Sequence, residues 1–478
     1  MQHFEQEMNN DTIAAIATPI GSGGIGIIKI SGDRALSIAG SLFRKSVRKT
    51  DAPSPLNTHV LLSSGSHRLN YGHIVDPDKN RVLDEVLLSV MLAPNTYTTE
   101  NIVEINTHSG HVVLASILNL VLKHGARLAE PGEFTKRAYL NGRIDLTQAE
   151  AVVDIINSKT ERALEVATSQ IEGRLKESVE AIRDATLDIL THIEAAIDFP
   201  DDVGDIIRTD EMLYTLEGRI ICDLKALLDQ YETGHILKQG LKVAIVGKPN
   251  VGKSSLLNRL LQEDRAIVTP IPGTTRDLIE ETLNIRGIPV LVADTAGLHK
   301  TDDPVEVIGI AKTKAYINGA DMVLFMVDAS APLASEDHTI CKTVGTKPCI
   351  LVVNKSDLVD DGFELETPEQ WPDYPSINIS ALYGNGLGGL KDLIAKESIG
   401  EHRLEIQNTI IPSLRHKMAL DQSLLLMRSV AKAIKQAVPP ELIAIDIQEA
   451  VASLGEIIGT TTKTDVLDQI FSRFCIGK

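Results

Sequence analysis

The sequence has few cysteines and no long apolar run, and each shortage argues against a class of protein. Its 478 residues include four cysteines. They are scattered without a Cys-x-x-Cys pair, so neither a zinc site nor a disulfide framework is expected. No apolar run approaches the ~20 residues that span a bilayer, and the first residues lack the basic and apolar regions of a secretory leader. We therefore expect a soluble protein of a reducing cytoplasm.

Positive charge is also in short supply. The 47 lysines and arginines are outnumbered by 65 acidic residues, which gives a formal net charge of −18. A broad basic face for nucleic acid is therefore not expected, and a nucleic-acid role would need a local patch or a basic partner. What the chain does have is length and an apolar content of 43%, enough for several cores and for two to four domains.

A phosphate-binding loop stands in the middle of the chain. The apolar run 243–246 predicts a buried strand, and a helix is predicted to follow the loop. Between them the pattern G-x-x-x-x-G-K-[ST] is matched by Gly247, Gly252, Lys253 and Ser254. In such a loop the backbone amides wrap a polyphosphate, the lysine neutralises its charge, and the serine hydroxyl reaches Mg²⁺.

Further motifs follow in the order found in GTP-binding domains. The segment 273–277 lies where a switch segment carries a threonine to the Mg²⁺, and 290–297 predicts a strand that ends at residues sensing a γ-phosphate. Asp357 of the Asn-Lys-x-Asp motif can accept two hydrogen bonds from guanine, one from N1–H and one from N2–H₂. Adenine lacks this pair of adjacent donors. The predicted nucleotide-binding residues are Asn250, Val251, Gly252, Lys253, Ser254, Ser255, Thr269, Thr274, Thr275, Asp294, Thr295, Ala296, Gly297, Asn354, Lys355, Asp357, Ser380, Ala381 and Leu382.

These motifs resemble the translation-factor-like branch of the GTPases, with two departures from the Ras type. Leu298 stands where a glutamine usually positions the attacking water. Asn250 matches an asparagine that helps to hold a monovalent cation in potassium-stimulated GTPases, where the cation stabilises transition-state charge on the phosphates. The alternative for Asn250 is an ordinary loop residue.

The segments on either side predict two other kinds of structure. Residues 1–125 alternate strands and helices, as in an α+β domain. Gly21 to Gly26 fits G-x-G-x-x-G but precedes a strand, so a glycine-rich hairpin is expected instead of a dinucleotide site. Helical periodicity from Leu146 predicts one long helix broken at most once, and the same periodicity resumes at Leu414. A nucleotide domain inserted into a helical domain explains this order, and two unrelated helical domains are the alternative.

Over essentially its whole length the sequence resembles the MnmE (TrmE) family of bacterial tRNA modification GTPases. The supporting segments are 11–19, 131–138, 145–151, 194–200 and the terminal Cys475-Ile-Gly-Lys478. The resemblance implies a multidomain fold: an α+β folate-binding and dimerisation domain at 1–125, an α-helical domain in two parts at 126–238 and 398–478, and an inserted α/β P-loop G domain with a mostly parallel sheet at 239–397.

The same resemblance implies an activity, with its partners. GTP hydrolysis supported by Mg²⁺ and K⁺ accompanies the addition of an aminomethyl or carboxymethylaminomethyl group at C5 of the wobble uridine of certain tRNAs. The one-carbon unit comes from a folate, 5-formyl- or methylene-tetrahydrofolate. The protein is expected to form a homodimer and, with the FAD-dependent subunit MnmG, a heterotetramer that acts on tRNA.

Residue roles are implied by matching position. The folate contacts fall on Lys29, Glu104, Arg143 and Lys478; the K⁺ ligands on Asn250, Thr269, Ile271 and Thr274; and the Mg²⁺ ligands on Ser254 and Thr275. Glu306 matches an acid that orients the hydrolytic water, and Cys475 matches a terminal cysteine needed for the modification. Without the resemblance, the charged residues among them would be ordinary solvated surface charges.

Two other functions compete with this interpretation. A GTP-dependent ribosome-assembly or switch GTPase would carry a basic appended domain, which the charge balance argues against. A plain folate-dependent one-carbon transferase leaves the guanine motifs unexplained.

Overall fold

The computed structural model describes residues 11–19, 21, 23–45, 65–199, 209–265, 281–292, 314–315, 317–360, 362–400, 410–462 and 464–478. The described residues form two compact units, one made of 11–153 with 458–478 and the other of 154–457. No helix in these ranges is long and apolar enough to cross a membrane.

The first unit is built on a mixed sheet of seven strands in the order β3-β4-β5-β6-β2-β1-β7. Two of its helices, Ala35–Leu42 and His111–Lys123, pack on one face of the sheet and bury its main core. The strands are β1 Ile13–Ile16, β2 Ile25–Ser31, β3 Phe43–Lys45, β4 Arg68–Asp76, β5 Arg81–Met91, β6 Ile102–His108 and β7 Arg127–Leu128. The helices are α1 Ala35–Leu42, α2 His111–Lys123, α3 Glu133–Leu140 and α4 Leu146–Asn157, of which α4 continues into the second unit.

The glycine-rich segment that imitates a dinucleotide fingerprint connects two antiparallel strands. Ile13 pairs with Ser31 and Ile16 with Ile28, so β1 and β2 form a hairpin. A dinucleotide loop would lead from a strand into a helix instead. The predicted glycine-rich hairpin is therefore confirmed.

The second unit contains a six-stranded sheet in the order β13-β12-β11-β8-β10-β9. Its neighbours run parallel except for the antiparallel β9–β10 pair. The strands are β8 Leu241–Val246, β9 Glu281–Ile285, β10 Ile288–Val292, β11 Met322–Asp328, β12 Cys349–Asn354 and β13 Ser376–Asn378. Val243 and Ala244 of β8 enter different cores, and burial on both faces explains why the central strands are continuous apolar runs. The predicted mostly parallel sheet is confirmed.

The helices of the second unit come before, within and after this sheet. They are α5 Glu161–Ile171, α6 Arg174–Asp198, α7 Thr209–Thr215, a π-helical turn Leu216–Ile220, α8 Ile221–Gln239, α9 Lys253–Asp264, α10 Ser335–Val344, α11 Leu387–Ile399, α12 Leu414–Lys435 and α13 Pro440–Ile458. The last residue of α13 and the final helix, α14 Thr464–Phe471, belong to the first unit. The predicted four-part division of the chain stays a prediction.

The prediction of one long helix broken at most once was wrong. Three helices, α4, α5 and α6, occupy that stretch. Thr160 is extended and its hydroxyl accepts a hydrogen bond from Ala163 N, which starts α5 as an N-cap. Gly173 has φ of 87° and separates α5 from α6. Apolar periodicity does not reveal such breaks, because the core-facing residues on either side keep the same spacing.

Candidate functional site

The predicted phosphate loop has the backbone expected of a strand–loop–helix motif. It leaves β8 and enters α9 at Lys253. Asn250 and Gly252 have positive φ values of 62° and 100°, the region that glycine and asparagine adopt most readily. A Cβ added at Gly252 would lie 2.2 Å from Asn354 Nδ2. The loop conformation therefore requires glycine at this position.

The lysine of the motif is folded back across its own loop. Lys253 Nζ donates hydrogen bonds to the carbonyl oxygens of Gly247 at 2.7 Å and Lys248 at 2.8 Å. Burial lowers the pKa of Lys253. A half-buried ammonium whose hydrogen-bond partners are neutral carbonyls is strongly stabilised by a neighbouring polyphosphate. Ser254, half-buried beside it at the start of α9, carries the hydroxyl that a Mg²⁺ ion would need.

Asn354 joins three of the predicted motifs. It ends β12, and its Nδ2 donates to the carbonyl of Val251 in the phosphate loop at 2.7 Å. Its Oδ1 accepts from the amide of Ala381 at 2.9 Å. Asn354 is 3% exposed, so these two hydrogen bonds are made away from water and hold the phosphate loop next to the Ser380–Leu382 segment.

The remaining guanine motif residues lie beside this junction. Lys355 has φ of 66°, and its Nζ pairs with Asp328 at the end of β11. Burial opposes ionisation of Asp328, but hydrogen bonds from Lys355 and Ser330 outweigh it and hold the pKa of Asp328 below its ordinary value. Asp357 is exposed in the short 3₁₀ turn that follows. Its carboxylate is therefore accessible to a ligand.

Several predicted residues lie outside the described part of the chain. The structure neither tests nor places their roles, which stay predictions. They are Thr269, Ile271, Thr274, Thr275, Asp294, Thr295, Ala296, Gly297 and Glu306.

A second predicted set comes together in the first unit around the ring of Tyr97. Lys29 and Glu104 are opposite each other on β2 and β6, with Lys29 Nζ 3.8 Å from the carboxylate. The same Nζ lies 5.6 Å from the centre of the Tyr97 ring and 5.3 Å from that of Phe134. Burial lowers the pKa of Lys29, the charge of Glu104 opposes this, and the charge of Lys478 adds to it.

Arg143 and the end of the chain reach the same place. The guanidinium carbon of Arg143 lies 4.9 Å from the centre of the Tyr97 ring, and its Nη1 donates to the Tyr97 carbonyl at 3.3 Å. Lys478 is held by its main-chain oxygen, which accepts a hydrogen bond from the amide of Phe134 at 3.2 Å. Three cations, one carboxylate and two aromatic rings therefore share one region, a composition that suits an aromatic ligand with an anionic part.

The docked C-terminal segment also carries Cys475. Its thiol side chain is exposed, and its carbonyl accepts from the amide of Gly132 at 3.5 Å. Gly477 has φ of 94°, and a Cβ there would lie 2.6 Å from the carbonyl oxygen of Ile16. Only glycine allows the chain to pass so close to Ile16, so this residue permits the docking of the segment.

Sequence reasoning missed the two aromatic residues of this region. Tyr97 lies in the connection between β5 and β6, where its hydroxyl hydrogen-bonds with that of Thr135 at 2.9 Å. Phe134 is fully buried in α3. No sequence pattern assigns either residue to a ligand site, since their relation to Lys29 depends on how α3 and the connection pack on the sheet.

The fold and the junction at Asn354 define a P-loop nucleotide-binding domain of the GTPase type. Family models agree with the sequence: the GTP-binding protein TrmE N-terminus matches residues 12–143 and the MnmE helical domain matches residues 146–475. The chain belongs to the MnmE family of tRNA modification GTPases, and it is accordingly a GTP hydrolase of tRNA modification.

Relatives named tRNA modification GTPase MnmE match along nearly the full length. Those from Alkaliphilus oremlandii and Thermoanaerobacter pseudethanolicus are 45% and 47% identical, over 98% of this chain and 99% of theirs. The one from Staphylococcus aureus strain Newman is 43% identical over 98% of this chain and all of its own. A GDP·AlF4⁻-bound variant of Era from Aquifex aeolicus is 28% identical over 39% of this chain and 67% of its own, with a TM-score of 0.25.

Proposed function

We propose that this chain is a potassium-stimulated GTPase that acts with the FAD-dependent subunit MnmG. Together they add an aminomethyl or carboxymethylaminomethyl group to C5 of the wobble uridine of certain tRNAs, with a folate as one-carbon donor. The observation that supports the proposal best is the double hydrogen bond of Asn354 to Val251 and Ala381. It unites the phosphate loop with the segment proposed to cover guanine, in a chain that belongs to a tRNA modification family.

The proposed K⁺ site begins at Asn250. This residue is exposed in the phosphate loop and has φ of 62°, so its side chain is accessible to an ion. With the carbonyls of Thr269 and Ile271 and the Thr274 region, its amide oxygen would hold K⁺ beside the β- and γ-phosphates, while Ser254 and Thr275 hold Mg²⁺. A monovalent cation there stabilises charge that develops in the transition state.

GTP turnover should therefore depend on the monovalent cation. We expect roughly tenfold or greater turnover in KCl than in NaCl at equal ionic strength, because Na⁺ is too small for a site built of amide and carbonyl oxygens at K⁺ spacing. Phosphate release measured in both salts tests this. Asn250→Gly keeps the positive φ but removes the amide oxygen, so it should lose most of the KCl advantage. Equal rates in the two salts for the unmodified protein would reject the K⁺ site.

The folate part of the proposal is supported by the region around Tyr97. A folate has an aromatic pterin and a glutamate tail with carboxylates. The rings of Tyr97 and Phe134 suit the former, and the charges of Lys29, Arg143 and Lys478 suit the latter. Cys475, exposed on the same docked segment, is proposed to take part in the modification.

The chain has a net charge of −18, and tRNA, its proposed substrate, is a polyanion. A partner protein is therefore needed to provide positive charge for tRNA binding. MnmG is proposed to supply much of the tRNA-binding surface, with two copies of each subunit in the complex and the N-terminal domains joining the homodimer.

Loss of this protein should remove the C5 substituent from the wobble uridine. Nucleoside mass spectrometry of tRNA from a strain that lacks the chain tests this directly, with the unmodified chain restored on a plasmid as the positive control. Restoration with Lys253→Ala should fail, because that variant lacks the cation of the phosphate loop. Fully modified tRNA in the deletion strain would contradict the proposed role, and a defect confined to ribosome profiles would favour a ribosome-assembly GTPase.

A further inference from the structure

A buried ion pair lies directly behind the phosphate loop. Lys248, the first variable residue of the loop, donates from Nζ to Asp337 Oδ2 at 3.0 Å. The lysine side chain is 16% exposed and the aspartate is completely buried. The two residues are 89 positions apart in the sequence, and Asp337 lies in the first turn of α10.

Asp337 also caps its helix, but capping does not require its charge. The same Oδ2 accepts from the amide of Ala334 at 2.9 Å, a bond that a neutral asparagine would make equally well. The other oxygen, Oδ1, has no hydrogen-bond partner among the described residues. Burying a carboxylate completely costs free energy unless a cation is paired with it. Lys248 supplies the cation that stabilises the buried carboxylate of Asp337.

Lys248 connects this pair to the phosphate-binding lysine. Its side chain is held by Asp337, while its carbonyl accepts from Lys253 Nζ at 2.8 Å. The ion pair with Asp337 therefore restrains the position of Lys248, including the carbonyl group that accepts the hydrogen bond from Lys253. A loop held in its binding geometry before the nucleotide arrives loses less conformational entropy on binding.

We propose that Lys248 and Asp337 form a positioning pair that holds the phosphate loop in its nucleotide-binding conformation before the nucleotide binds. The pair acts through the Lys248 carbonyl and Lys253. The proposal rests on GTP binding, not on the K⁺ or folate proposals.

The pair should affect nucleotide binding more than the chemical step. A preset loop contacts the phosphates in both the ground state and the transition state, and loss of such uniform binding raises KM with little change in kcat. We expect Lys248→Met to raise the Kd for GDP and the KM for GTP by roughly tenfold, with kcat within about twofold. Lys248→Arg keeps the charge and should stay within about twofold of the unmodified protein in all three constants.

The test is a double-mutant cycle on the full-length protein. Kd for a fluorescent GDP, KM and kcat for GTP, and thermal melting are measured for Lys248→Met, Asp337→Asn and the double variant. Because the two residues act as one unit, the double variant should bind GDP no more weakly than either single variant. Lys391→Met is the matched control: Lys391 pairs with Glu263 and Asp264 at the far end of α9, and its loss should leave Kd unchanged within about twofold.

If Lys248→Met fails to fold, the double variant still tests the proposal. It removes both charges, so no unpaired charge remains buried, and it should still bind GDP roughly tenfold more weakly. Normal GDP affinity in the double variant would overturn the proposal. So would effects of the single variants that multiply in the double variant, or a lowered melting temperature with unchanged Kd and KM, since that pattern belongs to a helix cap alone.

Discussion

Replacing Asp357 with Asn should weaken GTP binding by about a thousandfold and allow xanthosine triphosphate to bind in its place. The exposed carboxylate of Asp357, in the 3₁₀ turn after β12, is predicted to accept hydrogen bonds from guanine N1–H and N2–H₂. An asparagine can still accept from N1–H, but its NH₂ group faces the guanine amine, so two donors meet without an acceptor. Xanthine carries a carbonyl at that position, which accepts from the asparagine NH₂ group.

Competition binding against labelled GDP measures this change in preference. Asp360→Asn, which alters an exposed carboxylate three residues further on, is the matched control and should leave the preference for GTP intact. Unchanged GTP affinity in Asp357→Asn would show that guanine is recognised elsewhere, and the assignment of the Asn-Lys-x-Asp motif would be wrong.

Replacing Lys29 with Met should weaken the binding of 5-formyl-tetrahydrofolate by roughly thirtyfold. Lys29 is largely buried against Tyr97 and Phe134, and methionine preserves most of its apolar stem. The expected loss is that of a charge-assisted hydrogen bond made away from water. GTP turnover should not change, because Lys29 belongs to the first unit and the phosphate loop to the second.

Titration calorimetry with the folate measures the loss. Lys136→Met serves as the control: Lys136 lies on α3 near this region, but its Nζ pairs with Asp468 at 2.7 Å. It should bind the folate normally and melt at most slightly lower. Equal affinity of Lys29→Met and the unmodified protein would remove Lys29 from the folate site.

The elements that could be predicted well are those whose formation depends on residues close together in the sequence. The alternation of strands and helices predicted for residues 1–125 is observed, with strands such as Arg68–Asp76, Arg81–Met91 and Ile102–His108, since residue alternation and turn residues act within a few positions. The breaks between α4, α5 and α6 were missed because one cap residue and one glycine decided them, while the apolar spacing continued across both.

The sequence by itself determined the phosphate loop and the order of the guanine motifs, because a polyphosphate is bound by amides and side chains that are neighbours in the chain. Only the tertiary structure decided which residues, distant in the sequence, meet within each unit. Strand register places Lys29 opposite Glu104, docking of the C-terminal segment brings Lys478 to the same region, and α10 carries Asp337 to Lys248 across 89 positions. Such pairings depend on how distant elements pack, and no local pattern of residues specifies them.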